Sequence, residues 1–170
     1  YEIASSLAKF GVKTTLISGP TKLKKPENVN IVKVESADQM FMETKKALPV
    51  DIAVCAAAIS DFKLSKPLKA VKLQKRDLLK HLGEELELTP DLLTELVSKK
   101  PERQVILGFA ALTGEDLVIQ KEGKRKQVLK GCDLLLANPI DRPGQGFNEN
   151  INSGWLIDEK GEIKAIPKMT

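Results

Sequence analysis

Apolar residues along this chain follow two rhythms, a period near 3.6 and short unbroken runs. Ile3, Leu7 and Phe10 share one helical face at i, i+4 and i+7, and Gly11 follows as a stop. Residues 13–18 are rich in β-branched side chains and read as a strand closed by Gly19-Pro20. Val29, Ile31 and Val34 suggest another strand. Ser36 and Gln39 match a capping box that starts a helix reaching about Ala47, with Met40, Phe41 and Met42 expected in the core. Residues 52–58 form a continuous run of small and branched apolar side chains. That suits a strand buried on both faces of a parallel sheet.

Residues 62–81 break this order. They carry seven firm cations, Lys63, Lys66, Lys69, Lys72, Lys75, Arg76 and Lys80, against one acid, Asp77. Such a segment is either a flap that closes over phosphates or a solvated basic loop. Residues 85–88 read as a short strand. Thr89-Pro90-Asp91 then supplies an N-cap, a proline at N1 and an acid in the first turn of a helix whose apolar face is Leu92, Leu93, Leu96 and Val97. Residues 104–111 form another buried strand. A helix over 115–130 follows, with Leu117, Val118, Val128 and Leu129 apolar and Gly123 weakening its middle. Residues 133–137 read as a strand, 142–152 as a glycine- and asparagine-rich loop, and 155–166 as a β-hairpin turning at 158–161.

The pattern predicts an α/β fold: a Rossmann-like, mainly parallel sheet flanked by helices, with a C-terminal β-hairpin, in a single domain over residues 1–170. A helix at the very start of such a pattern implies that a strand and loop precede it.

Composition narrows the function classes. The chain has 170 residues, a net charge of +4 and 4% aromatic residues. The charge favours anionic ligands, and so few aromatics argue against a base-stacking nucleic-acid platform. No signal peptide or membrane-length apolar run is present, and Cys55 and Cys132 sit in apolar runs, so they read as reduced core residues of a cytoplasmic protein. The lone histidine, His81, argues against histidine-based metal sites and a Ser-His-Asp triad. No G-x-G-x-x-G, Walker phosphate loop, C-x-x-C, H-E-x-x-H or G-x-S-x-G occurs.

Two features remain as candidate chemistry. Ligands of open α/β sheets collect at the carboxyl ends of strands. Asp61 stands at such an end, either to accept hydrogen bonds from ligand hydroxyls or as a polar strand exit or cap. Lys126 and Lys130, at i and i+4, repel each other on one helix face unless an anion binds there; a solvated surface run is the other reading.

Ser18-Gly19-Pro20, the run from Ala56 to Phe62 (AAAISDF), Lys72-Leu73-Gln74-Lys75, Pro90-Asp91-Leu92, Gly108-Phe109-Ala110-Ala111, Ala137-Asn138 and Gly146-Phe147-Asn148 occur in one order along nearly the whole chain. In that order and spacing the chain resembles phosphopantothenoylcysteine synthetase, the second domain of the bacterial bifunctional coenzyme A biosynthesis protein. The resemblance implies a ligase. CTP activates the carboxylate of 4′-phosphopantothenate, pyrophosphate leaves, and the cysteine amine attacks the acyl-cytidylate. Magnesium and lysines would offset the gathered negative charge.

By family position, Cys55, Ala56 and Ala57 line the nucleotide. Asp61 holds it near its ribose. Lys72 is the catalytic flap lysine, with Lys75 as its rival. Thr89, Pro90, Asp91 and Leu92 form a nucleotide-contacting turn, Phe109 packs near the base, and Lys126 and Lys130 reach the nucleotide from their helix. The resemblance gives no metal ligands. It implies a homodimer with no nucleic-acid or membrane partner, and FMN only where a decarboxylase domain stands upstream. It also implies that a glycine-rich loop precedes this chain and a further helix follows it, so that the 170 residues alone would not complete the reaction. The chain departs from the family at Thr89, where asparagine is usual, at Leu112, where glutamate is usual, and at Pro139, where an aspartate follows the asparagine. An NAD(P)-binding oxidoreductase and a noncatalytic nucleotide-binding module are the competing readings.

Overall fold

A computed structural model describes residues 1–65, 83, 86–145, 149 and 151–169. The described strands and helices gather into two compact units. One comprises Tyr1–Leu48 with Ala57–Asp91, the other Pro49–Ala56 with Leu92–Thr170.

In the first unit α1 (Glu2–Lys9) ends at Phe10, and Gly11 takes the left-handed conformation, φ 79°, that its position at the helix end requires. β1 (Thr14–Ser18) pairs in parallel with β2 (Val29–Lys33), in the register Thr14↔Val29. The capping box forms as expected on α2 (Ala37–Ala47): Gln39 N–H donates to Ser36 Oγ at 3.2 Å, and Gln39 Oε1 accepts from the Ser36 N–H at 3.3 Å. Of the three expected core residues only Met40 is buried; Phe41 is half-buried and Met42 is exposed. β4 (Phe62–Leu64) pairs antiparallel with β5 (Leu86–Leu88) in a separate two-stranded sheet.

The second unit is a five-stranded sheet in the order β3-β6-β7-β8-β9. β3 (Ile52–Cys55), β6 (Val105–Leu112) and β7 (Leu134–Pro139) run parallel; β8 (Asn152–Asp158) and β9 (Ile163–Met169) continue antiparallel. This bears out the mainly parallel sheet and the C-terminal hairpin. Asp158 builds the hairpin turn, its Oδ1 accepting from the N–H groups of Lys160 and Glu162 at 3.0 and 2.8 Å. β3 corrects an expectation. It stops at Cys55, stands at the edge of its sheet, leaves Ile52 half exposed, and is followed by exposed alanines at 56–58. With Ile52 exposed and its other residues only half-buried, it is not buried on both faces.

Two helices cover one face of this sheet. α3 (Leu92–Ser98) starts three residues later than Thr89, so Thr89 is not its cap. α4 (Asp116–Lys130) buries Ile119, Gly123 and Gln127, at i, i+4 and i+8. The four apolar residues that marked this helix in sequence face outward: Leu117, Val118, Val128 and Leu129 are all exposed. Gly123 does not simply loosen the helix. A Cβ placed on it would lie 2.6 Å from Ile157 Cδ1 and 2.9 Å from Ala137 Cβ, so the missing side chain is what lets α4 approach β7 and β8. Asp133 ties the unit together at the other end. It accepts from Ile106 N–H at 2.7 Å and pairs with Lys100, joining the start of β6 to the segment that follows α3.

Candidate functional site

In the second unit the expected site residues cluster around one register pair. Cys55, the last residue of β3, pairs with Gly108 of β6, and Ala56 follows it. Leu93 presses its Cδ2 to within 2.8 Å of where a Gly108 Cβ would be, which brings the start of α3, with Leu92, onto this point. Gly108 is therefore where helix and strand touch, and a larger residue would force them apart. Phe109 is the next residue on β6, half-buried. Side chains alternate along a strand. Gly108 faces Leu93 and Leu135 on the face that α4 covers, so Phe109 belongs to the opposite face. Lys126 and Lys130 are half-buried on α4, beside its buried stripe. The sheet thus stands between Phe109 and the two lysines. Glu122, one turn before Lys126, has its carboxyl held below the usual carboxylate range by a hydrogen bond from Arg125, with Lys126 adding to the effect. The two free thiols are set apart by burial: Cys132 is 1% exposed, and burial pushes its thiol up, which keeps it neutral and inert.

The remaining expected residues belong to the first unit. Ala57, Asp61, Pro90 and Asp91 are exposed and Thr89 is half-buried. The two-stranded sheet brings two of them together: the Thr89 N–H donates to the Asp61 carbonyl oxygen at 2.9 Å, one step beyond the Phe62↔Leu88 pair. Thr89 Oγ1 is buried and hydrogen-bonded to nothing among the described residues. A buried hydroxyl left so costs about 1–3 kcal/mol. Two positions along the strand from Asp61, Lys63 is shared between two carboxylates, Asp38 at 2.8 Å and Glu87 at 3.3 Å. The hydrogen bond to Asp38, seconded by Glu87, raises its pKa above the usual lysine value. Sequence reading placed Lys63 with the cations of the candidate flap. The structure makes it an anchor, and the Phe62-Lys63-Leu64 alternation against Leu86-Glu87-Leu88 was the signal for it. Lys72, Lys75, His81 and Gly146-Phe147-Asn148 lie outside the described residues.

Ser18-Gly19-Pro20 does more than turn the chain. With Lys25, Lys33 and Val34 it lines a cavity of about 280 Å³ beyond the carboxyl ends of β1 and β2, where Ser18 Oγ lies 3.0 Å from the Tyr1 hydroxyl. Among the described residues no group of three or more His, Cys, Asp or Glu is placed to hold a metal ion. A magnesium ion carried on nucleotide phosphates needs only one or two protein carboxylates. No helix among the described residues is long and apolar enough to cross a membrane.

The family model described as the DNA/pantothenate metabolism flavoprotein C-terminal domain matches residues 1–170. The chain belongs to this family. It is 33% identical over 168 residues to the coenzyme A biosynthesis bifunctional protein CoaBC of Vibrio vulnificus strain CMCP6, covering 98% of this chain and 41% of that protein. It thus spans about two-fifths of the length of the curated relatives it matches. Among solved structures, the crystal structure of the C-terminal domain of CoaBC superposes with a TM-score of 0.74 at 28% identity, over 100% of this chain and 74% of that one. A Cab2 variant in complex with phosphopantothenate-cysteine shares the fold, with a TM-score of 0.58 at 16% identity over 83% of this chain and 47% of that one. Membership in the DNA/pantothenate metabolism flavoprotein C-terminal family agrees with the resemblance carried by the sequence motifs, and the fold agrees with the architecture expected from the hydrophobic pattern.

Proposed function

We propose that this chain is the nucleotide-binding part of a phosphopantothenate–cysteine ligase of coenzyme A biosynthesis. The supporting observation is one match over the full 170 residues to the C-terminal family of CoaBC, joined to a fold that superposes on the CoaBC C-terminal domain. In the proposed reaction a carboxylate oxygen of 4′-phosphopantothenate attacks the α-phosphorus of CTP and pyrophosphate leaves. The cysteine amine then attacks the acyl carbon, an amide forms, and CMP leaves with the electron pair of the broken C–O bond.

Asp61 and Thr89, joined by a main-chain hydrogen bond, make a polar edge for the nucleotide in the first unit. Within the second unit, Cys55, Ala56 and Leu92 give small apolar surface around Gly108 of the kind a nucleotide could lie against, and Phe109 stands on the other face of the sheet. Lys126 and Lys130 supply positive charge, and Lys72 acts from the flap on the intermediate. Magnesium would neutralise the phosphates. The enzyme works in the cytoplasm as a homodimer.

The test is pyrophosphate release by the intact protein with 4′-phosphopantothenate, CTP, cysteine and magnesium, together with titrations of CTP and NADPH. Turnover that requires CTP, with KM for CTP raised roughly tenfold by Lys126→Ala (about 1.4 kcal/mol), supports the reading. NADPH binding without CTP binding overturns it in favour of an oxidoreductase.

A further inference from the structure

The sheet grips α4 lightly. Of its 15 residues only Ile119, Gly123 and Gln127 are buried, while Leu117, Val118, Val128 and Leu129 are exposed. The tight point is Gly123, where helix and strands meet with no side chain between them. Polar contacts fasten the two ends. Toward the C-terminal end Gln127 Nε2 donates to the Cys132 carbonyl at 2.7 Å. At the N-terminal end, two consecutive residues that follow β7 hold the turn leading from β6 into α4. Gly114 N–H donates to Asp141 Oδ2 at 2.7 Å, and the Gly114 carbonyl accepts from Arg142 Nη2 at 3.1 Å. The same nitrogen donates to Asp116 Oδ1 at 2.6 Å, on the first residue of α4. Nη2 carries two hydrogens, so both bonds form together. Gly114 has a φ of 111°, which a residue with a side chain rarely adopts.

A stiff helix held at one tight point tilts about it. Asp116 stands seven residues before Gly123 and Lys130 seven after, about 10 Å to either side at 1.5 Å per residue. A shift of Asp116 is therefore mirrored at Lys130, and in smaller measure at Lys126. We infer that Arg142, acting through Gly114 and Asp116, is a positioning residue for Lys126 and Lys130: it fixes the tilt of α4 and so sets where the two ammonium groups meet the nucleotide. This rests on the nucleotide-binding reading proposed above. The clamp lies at the surface, with the Arg142 side chain 36% and the Asp116 side chain 60% exposed, so each contact adds little stability. Its effect on binding is correspondingly bounded at about fivefold, ~1 kcal/mol.

The experiment follows pyrophosphate release by the intact protein. Arg142→Ala raises KM for CTP about fivefold, with kcat and KM for 4′-phosphopantothenate unchanged. Asp116→Ala breaks the same contact from the other side and has a similar effect, which keeps the test open should one variant fold poorly. Arg142→Lys keeps the charge but cannot bridge both acceptors with one nitrogen held in a planar fork, so KM stays raised. When Lys126→Ala and Lys130→Ala are both present, adding Arg142→Ala changes KM for CTP no further, because nothing is left to position. The inference is overturned if Arg142→Ala and Asp116→Ala leave KM unchanged, if Arg142→Lys matches the unsubstituted protein, or if Arg142→Ala still raises KM without the two lysines. If removing both lysines leaves KM for CTP unchanged, the nucleotide reading falls, and this inference with it; if their removal weakens CTP while the Arg142 and Asp116 variants are silent, only the role of Arg142 falls.

Discussion

Gly123→Ala pits helix propensity against packing, and the structure decides which wins. In an exposed helix interior the substitution stabilises by about 1 kcal/mol, because glycine carries the larger backbone entropy. Here the new Cβ would meet Ile157 Cδ1 at 2.6 Å and Ala137 Cβ at 2.9 Å, whereas apolar carbons rest about 3.5–4.0 Å apart. Both neighbours are 0% exposed. The Ala137 methyl has no rotamer to change, so relief requires β7 or α4 to move. Overpacking of this kind costs about 1–3 kcal/mol. With two contacts short, the upper half of that range applies, and the net loss is about 1–2 kcal/mol. Urea unfolding should show a lower midpoint for Gly123→Ala at unchanged slope. Ile157→Val removes the nearer atom. Alone it should cost about 0.5–1.5 kcal/mol, and beside Gly123→Ala less than that, so the pair couples rather than adds. A raised midpoint for Gly123→Ala, or strict additivity of the two changes, would show that the close approach does not govern this helix.

Two further outcomes follow from hydrogen bonds at element ends. Burial pushes the Asp133 carboxyl up, but the bonds from Lys100 and the Ile106 amide outweigh it and hold the group below its ordinary value. A carboxyl whose folded pKa is lowered gives stability that is present above the unfolded value and lost as pH falls through the folded one. Denaturant titrations should therefore show an acid-side loss of stability that is smaller in Asp133→Asn. Asp133→Ala should lose about 2–3 kcal/mol at neutral pH, since it strands the Ile106 amide and Lys100 together; equal pH profiles for wild type and Asp133→Asn would contradict the assignment. Ser36→Ala removes one half of the capping box and should cost about 1 kcal/mol in thermal or urea unfolding, while Ser36→Asn should cost little. An unchanged midpoint in Ser36→Ala would mean that α2 is held by packing alone.

The local signals that were legible are those whose physics is complete within a few residues. The Ser36–Gln39 capping box, the Gly11 stop and the hairpin turn around Asp158 needed no distant partner. What misled was local grammar overruled by packing. Thr89-Pro90-Asp91 has the form of a helix start, yet the Thr89 amide goes to Asp61 and the helix waits until Leu92. Residues 116–130 display their leucines and valines outward and bury a glycine and a glutamine, because the sheet demands closeness at Gly123 and Gln127 Nε2 satisfies the Cys132 carbonyl at 2.7 Å. No periodicity rule finds a buried face of that composition. For the site, Asp61 could be flagged at a strand end, but the other residues came from motif order. That the Thr89 amide goes to the Asp61 carbonyl depends on pairing between segments 28 residues apart. That is a property of the fold, not of any window of sequence.

The ammonium of Lys63 has one further consequence. It is the latch between the first turn of α2 and the foot of the β4–β5 stem, and it works in water rather than in a dry interior. Attractions of that kind fade once mobile ions crowd in at distances of about 8–10 Å, the screening length near physiological salt. The tightness with which β4 and β5 are clasped to α2 is therefore adjustable from outside the molecule, through the ionic make-up of its surroundings.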